Sequence, residues 1–210
     1  MIVLGHILLR IVFPIQMYFG RLIMIRLMKV RFFLICVVAS ALAACRGATK
    51  PDLSLFLKDN KAAVFVFLAP DCPLSQNYTL TLNRLHSEFE RKRIGFFGIV
   101  AGDGFQKNDI EAFVKQYNVR FPVLPDRNFD LADSFGATKT PEAFVVAPDG
   151  KTLYKGAIDN WAVESGQHRS VITDHYLRDV LDNFLKGHRI PYPETTVIGC
   201  FIERKGRLPG

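Results

Sequence analysis

Residues 64–75 read VFVFLAPDCPLS, and this stretch decides the fold. Its first half belongs to a longer apolar run, AAVFVFLA at 62–69, whose unbroken Val and Phe content fits a strand buried on both faces. Its second half sets Cys72 where that strand ends and Pro73 where a helix can begin. Proline suits the first helical turn, because its missing N–H would have no partner there. From Pro73 to about Arg91, Tyr78, Leu82, Leu85 and Phe89 fall on one stripe, as an amphipathic helix requires. A second apolar run, IGFFGIVA at 94–101, then completes a βαβ unit with parallel strands and a right-handed crossover.

Beyond that unit the turn GDG at 102–104 precedes a helix carrying Ile110, Phe113, Val114 and Tyr117. No Gly-Lys-Ser/Thr follows the turn, so it is not a phosphate cradle. FPVLPD at 121–126 leads into a short helix around 129–135. EAFVVAPDGKTLYKGAID then reads as an antiparallel hairpin about Pro148-Asp149-Gly150. DNWAVESGQHRS at 159–170 is a polar loop that can border a site, with Trp161 as its one large apolar side chain. A last helix near 174–186 repeats Tyr176, Leu177, Val180, Leu181, Phe184 and Leu185 on one face, and the chain closes with an extended tail, IPYPETTVIGCFIERKGRLPG. The expected fold is α/β: a mixed central sheet flanked by helices on both faces, in one domain over 46–210.

Cys72 has chemical meaning at this junction. A helix start leaves backbone N–H groups unpaired and carries about half a unit of positive charge, which stabilises a thiolate. Such placement lowers a cysteine pKa below its free value of about 8.5, and the adjacent Asp71 carboxylate opposes the effect. Cys72 is therefore expected to be a reactive thiol of moderate tuning; the alternative is a buried, inert cysteine. Ser75 stands where the second thiol of a Cys-x-x-Cys pair would fall. It can donate a hydrogen bond to a thiolate one turn below, but it cannot form a disulfide.

The run from VFVFLAPDCPLS through FPVLPD, FGATKTPEAFVVAPDGK, YKGAIDN, YLRDVLDNFLKG and PETTVIGCFIE resembles the redoxin, or peroxiredoxin-like, branch of the thioredoxin superfamily. The resemblance implies a thioredoxin-like fold, with Cys72 at the first position of the redox motif and Pro141 as a cis-proline beside it. That proline would leave the Thr140 backbone free to pair with a substrate peptide and hold metals away from the sulfur. A peroxiredoxin carries its peroxidatic cysteine at the position of Ser75, preceded by a threonine, and this chain has neither. The expected activity is thiol–disulfide exchange on protein or small-molecule thiols through Cys72. A thiol peroxidase and a non-enzymatic binding module are the alternatives. Cys200 either resolves Cys72, provided their Cα atoms approach within about 7 Å, or merely packs an apolar surface, as free cysteines often do. No cofactor or metal is expected, since His86, His168, His175 and His188 are scattered. His86 falls on the polar side of its helix and is expected to be solvated.

Five basic and no acidic residues lie in 1–45, leaving 22 basic against 20 acidic residues from Arg46 onward. The formal charge of +7 is thus mostly a property of the leader, and no basic face suggests nucleic acid. Within it, residues 28–45 read MKVRFFLICVVASALAAC: a basic start, an apolar run from Phe32 to Leu42, and small residues before Cys45. The run is shorter than the roughly 20 residues of a membrane span. The ending resembles a lipobox, which implies cleavage before Cys45 and a lipid on its sulfur; residues 1–27 do not fit that signal and suggest an overextended start. Cys36 would leave with the signal, so that Cys72 and Cys200 alone would meet an oxidising compartment, where disulfides persist. The expected place is a bacterial cell envelope, on the periplasmic or outer side of a membrane. Labelled palmitate is expected to enter the wild-type protein and not Cys45→Ala, and equal labelling of the two would remove the anchor.

Overall fold

The strand that leads to Cys72 sits in the middle of the sheet and organises everything around it. In the computed structural model, which describes residues 52–164 and 166–204, the elements run α1 (Ser54–Leu57), β1 (Ala62–Phe67), α2 (Pro73–Phe89), β2 (Ile94–Ala101), α3 (Lys107–Gln116), β3 (Val123–Asp126), α4 (Asp130–Phe135), β4 (Lys139–Thr140), β5 (Glu142–Val146), β6 (Thr152–Gly156), β7 (Ala162–Glu164), β8 (Gln167–His168), α5 (Tyr176–Leu185) and β9 (Cys200–Phe201). All of them belong to the unit Lys50–Gly210. The leader, with Cys36 and Cys45, lies outside the described residues.

Five strands form one mixed sheet in the order β3-β2-β1-β5-β6. β1 pairs parallel to β2 and β2 parallel to β3, whereas β5 runs antiparallel to both β1 and β6. Every residue of β1 is buried, and alternate side chains face opposite ways, so the strand feeds two cores. Ala62, Val64 and Val66 pack with Leu82, Leu85 and Phe89 of α2 and with Leu177, Val180 and Leu181 of α5. Ala63, Phe65 and Phe67 pack with Phe144, Val146 and Ala132 on the other side. This is the α/β arrangement with a mixed central sheet expected from the pattern, and the thioredoxin-like fold that the resemblance implies.

Three details differ from the sequence reading. FPVLPD contains β3, a third parallel strand; its position at the sheet edge is what allows Pro125 inside it. The loop 159–170 contains a small antiparallel hairpin, β7 with β8. His86 is not solvated: it is largely covered, its ring lying 5.7 Å from that of Phe96 and 6.0 Å from that of Phe121, with Nε2 at 3.3 Å from the Glu90 carboxylate. Its helix faces the chain from Asn118 to Phe121 as well as the sheet, so a position that looks polar on a helical wheel is covered from a second side.

Buried polar side chains hold the turns. Asp126, at the end of β3, accepts hydrogen bonds from the N–H groups of Leu131 and Ala132 at 3.2 and 2.9 Å, satisfying donors at the start of α4. Asn83 of α2 donates to the Asn118 carbonyl and accepts from the Arg120 N–H, both at 2.9 Å, and so ties the turn before β3 to the helix that carries Cys72.

Candidate active site

Cys72 is the N-cap of α2, with extended backbone (φ −81°, ψ 116°) and Pro73 at the first helical position. Strand β1 ends five residues earlier and the turn closes through the Cys72 N–H donating to the Ala69 carbonyl at 3.1 Å. Cys72 thus stands at the start of a 17-residue helix without a side-chain capping hydrogen bond, and the helix's first-turn N–H groups have no carbonyl one turn earlier to receive them. Ser75 is fully buried, and its hydroxyl accepts the Ala69 N–H at 3.1 Å. The serine thus fastens the end of β1 to the helix, a role the sequence reading did not give it.

The Thr140–Pro141 peptide bond is cis, and the Thr140 carbonyl oxygen lies 3.3 Å from Cys72 Sγ. The turn before it is built by Glu142, a buried carboxylate that accepts the N–H groups of Thr138 and Lys139 at 2.9 and 3.3 Å and sits 3.9 Å from Lys155 Nζ. Its signal in the sequence was a single acidic residue opening an otherwise apolar strand, directly after the proline.

Cys200 is joined to Cys72 in a disulfide, with Cα atoms 6.2 Å apart across 128 residues of chain. The tail reaches this place along a defined path. Pro193 and Thr195 bond to Lys155 of β6, and the Thr195 hydroxyl meets the Tyr154 hydroxyl at 2.6 Å and accepts the Ala157 N–H at 3.0 Å. A side chain on Gly156 would collide with Thr195, and its φ of 149° also favours glycine. The Val197 carbonyl then accepts from Lys139 Nζ at 2.9 Å, β9 pairs antiparallel with β4 so that Cys200 faces Thr140, and the Ile202 N–H donates to the Thr138 carbonyl at 2.9 Å. Arg204 closes the path on Asp133 and the Ala137 carbonyl. Thr140 and Cys200, 60 positions apart, thus become cross-strand neighbours, and the backbone edge of Thr140 is occupied by the chain's own tail. Close approach depends on Gly199, where a Cβ would strike the Thr140 carbonyl.

Two openings flank the disulfide. A cavity of about 340 Å³ touches both sulfur-bearing residues and is lined by Asp71, Asp103 and Glu203 among others. A groove of about 830 Å³ touches Cys200, together with Leu74, Asn77, Lys139, Trp161 and His168. Trp161 stands edge-on to Tyr78 at 5.5 Å and lies 4.8 Å from the His168 ring, so it belongs to the wall of this groove. Behind that wall Tyr78 donates to the buried Asp159 carboxylate at 2.6 Å, which also accepts the Trp161 N–H at 2.9 Å. Burial first, and then the Asp159 carboxylate, hold the Tyr78 proton well above the ordinary phenol range. Among the described residues no group of three or more His, Cys, Asp or Glu side chains is placed to hold a metal ion, and no helix is long and apolar enough to cross a membrane.

A cysteine delivered by a parallel βαβ unit to a helix start, beside a cis-proline, defines a thioredoxin-like protein. Within that class the chain belongs to the AhpC/TSA family, whose model it matches over residues 42–155. It is similar to the thiol-disulfide oxidoreductases ResA of Bacillus thuringiensis subsp. konkukian and Bacillus cereus, at 29% identity over 100 residues, which is 46% of this chain and 56% of those proteins. The chain thus spans about half the length of these curated relatives. Among solved structures it is similar to a hypothetical protein of Sinorhizobium meliloti (25% identity, TM-score 0.62, 70% of this chain and 81% of that one) and to an uncharacterized conserved protein of Geobacillus kaustophilus (24%, 0.62, 72% and 82%).

Two outcomes follow from this geometry. Gly199→Ala is expected to weaken docking of the tail by roughly tenfold, the equivalent of about 1.4 kcal/mol, read as slower formation of the Cys72–Cys200 disulfide in a glutathione redox buffer with the fold unchanged by circular dichroism. For Tyr78 the raised folded-state pKa fixes the sign: below about pH 10 both states keep the proton, whereas above it the unfolded chain ionises first. Stability should fall as pH rises beyond 10, and Tyr78→Phe should shallow that fall by up to about 1.4 kcal/mol per pH unit in denaturant titrations.

Proposed function

We propose that this chain is a thiol–disulfide oxidoreductase, tethered to a membrane of the bacterial envelope through Cys45, that reduces disulfides of partner proteins with Cys72 and Cys200 as its redox couple. The observation that carries the reading is the pairing of a cysteine at a helix start with a tail cysteine laid on the Thr140 edge. The Bacillus relatives that bear this activity in their names support it over the part of the chain they cover.

The step balances as a two-electron exchange. Cys72 thiolate attacks one sulfur of the partner's disulfide; that bond breaks, its electron pair leaves on the partner's other sulfur, and a Cys72–partner mixed disulfide remains. Cys200 thiolate then attacks Cys72 Sγ, forms the Cys72–Cys200 bond seen in the structure, and releases the partner as a dithiol. Helix α2 favours the first attack by stabilising the anionic form of its nucleophile.

The reading is tested with the air-oxidised and the reduced protein. Oxidised protein should yield a Cys72–Cys200 cross-linked peptide that dithiothreitol opens. Cys200→Ser should accumulate mixed disulfides on Cys72, and Cys72→Ser should lose insulin-disulfide reduction by at least about tenfold. Two free cysteines in oxidised, folded protein would overturn the couple. Rapid consumption of hydrogen peroxide by the reduced protein, with Cys72 passing to sulfenic acid, would assign the site to a thiol peroxidase instead.

A further inference from the structure

A nucleophile that opens a disulfide must choose one of two sulfurs, and in this protein the two are unequal in access, in surrounding charge and in what they leave behind. Cys72 is 1% exposed; its sulfur lies under the tail strand, against the Thr140 carbonyl. Cys200 is partly exposed and borders the groove of Leu74, Trp161 and His168, which does not reach Cys72. The cavity shared by both cysteines carries Asp71, Asp103 and Glu203 and, among the described residues, no basic side chain, so an incoming thiolate meets like charge there, whereas the groove at Cys200 sets the Lys139 ammonium against the single carboxylate of Glu164.

The leaving sulfur points the same way. If Cys200 is attacked, the departing charge collects on Cys72, at the unpaired N–H groups of helix α2. If Cys72 is attacked, the charge collects on Cys200, in a two-residue strand that offers no helix start. The better-stabilised thiolate leaves faster.

We infer that an external reductant attacks this disulfide at Cys200 and that Cys72 is the leaving sulfur, so that the protein's reductant and its partner disulfides meet different cysteines. The inference rests on the oxidoreductase reading above. The reductant is a thiol, acting as its thiolate. Its sulfur bonds to Cys200 Sγ as the Cys72–Cys200 bond breaks, and the electron pair goes to Cys72. A second thiolate, from the same dithiol or from another molecule of a monothiol, then attacks the reductant's sulfur. It carries that sulfur away as the reductant's own disulfide and leaves Cys200 as a thiolate that takes a proton from water. The protein gains two electrons and the reductant loses two. Cys200 is thus a catalytic residue in both half-reactions, closing the disulfide in one and receiving the nucleophile in the other.

Trapping the first step tests this. The oxidised full-length protein is treated with glutathione while iodoacetamide is present throughout, quenched in acid at short times, and the chains bearing one of each modification are mapped by peptide. Glutathione is expected on Cys200 and carbamidomethyl on Cys72, in excess of the reverse pattern by roughly tenfold or more. The reverse pattern, or equal amounts, overturns the inference and leaves the oxidoreductase reading intact. A disulfide that neither glutathione nor dithiothreitol opens removes both. The route is tested independently by His168→Glu, a change on the exposed β7–β8 hairpin. It should slow reduction by glutathione, which carries two carboxylates besides its attacking thiolate, severalfold more than reduction by 2-mercaptoethanol, whose thiolate is its single charge; equal effects on the two thiols, or none on glutathione, would show that the groove is not the path.

Discussion

The antiparallel contact of Thr140 with Cys200 is the constraint on which the site depends. It is short, two residues on each strand, yet it lies where β1, α2 and the cis Thr140–Pro141 bond converge. The disulfide fixes it across 128 residues, a loop whose closure restricts the unfolded chain by about 4 to 5 kcal/mol in the chain-entropy account. That is several times the net contribution of an ordinary hydrogen bond, about 1 kcal/mol. The Lys139, Thr195 and Arg204 contacts therefore guide the tail, and the sulfur–sulfur bond is the strongest single restraint on it.

The division of labour between the two cysteines follows from where each is carried. Cys72 is positioned by a fully buried strand and by a helix whose buried face includes Leu82, Leu85 and Phe89, so it cannot move far without opening the core. Cys200 sits on a segment held by hydrogen bonds, one ion pair and a few side-chain contacts, with Phe201 beside it 66% exposed. One cysteine is thus fixed by the core and the other by surface contacts. Ser75 is consistent with this arrangement: its hydroxyl serves the β1–α2 turn through the Ala69 N–H.

How much of this was legible in the sequence depended on range. The central strand and its helix could be read from 62–91 because burial on both faces and a one-sided stripe are local patterns. The short β3 could not, since four half-buried residues with a proline carry no periodicity, and the β7–β8 hairpin is defined by pairing rather than by composition. Thr140, Pro141, Cys72 and Cys200 were all visible as candidates, but whether Cys200 meets Cys72 turned on a contact spanning most of the domain. Glu142, Asp159 and Gly199 were missed because each acts through backbone groups or a distant side chain, and a lone acidic or glycine residue announces neither.

Moving the second thiol out of the helix changes more than the geometry of the disulfide. With cysteines one turn apart, oxidation would leave the Thr140 edge as it was. Here the oxidised state draws a strand onto that edge, with Gly199 allowing the backbone to lie against the Thr140 carbonyl. Any extended segment that pairs with Thr140 must displace residues 199–201, and it cannot do so while the sulfur–sulfur bond holds them. On the proposed function, breaking that one bond would free both the Thr140 edge and the Cys72 thiol, coupling access to the pairing surface with readiness of the nucleophile.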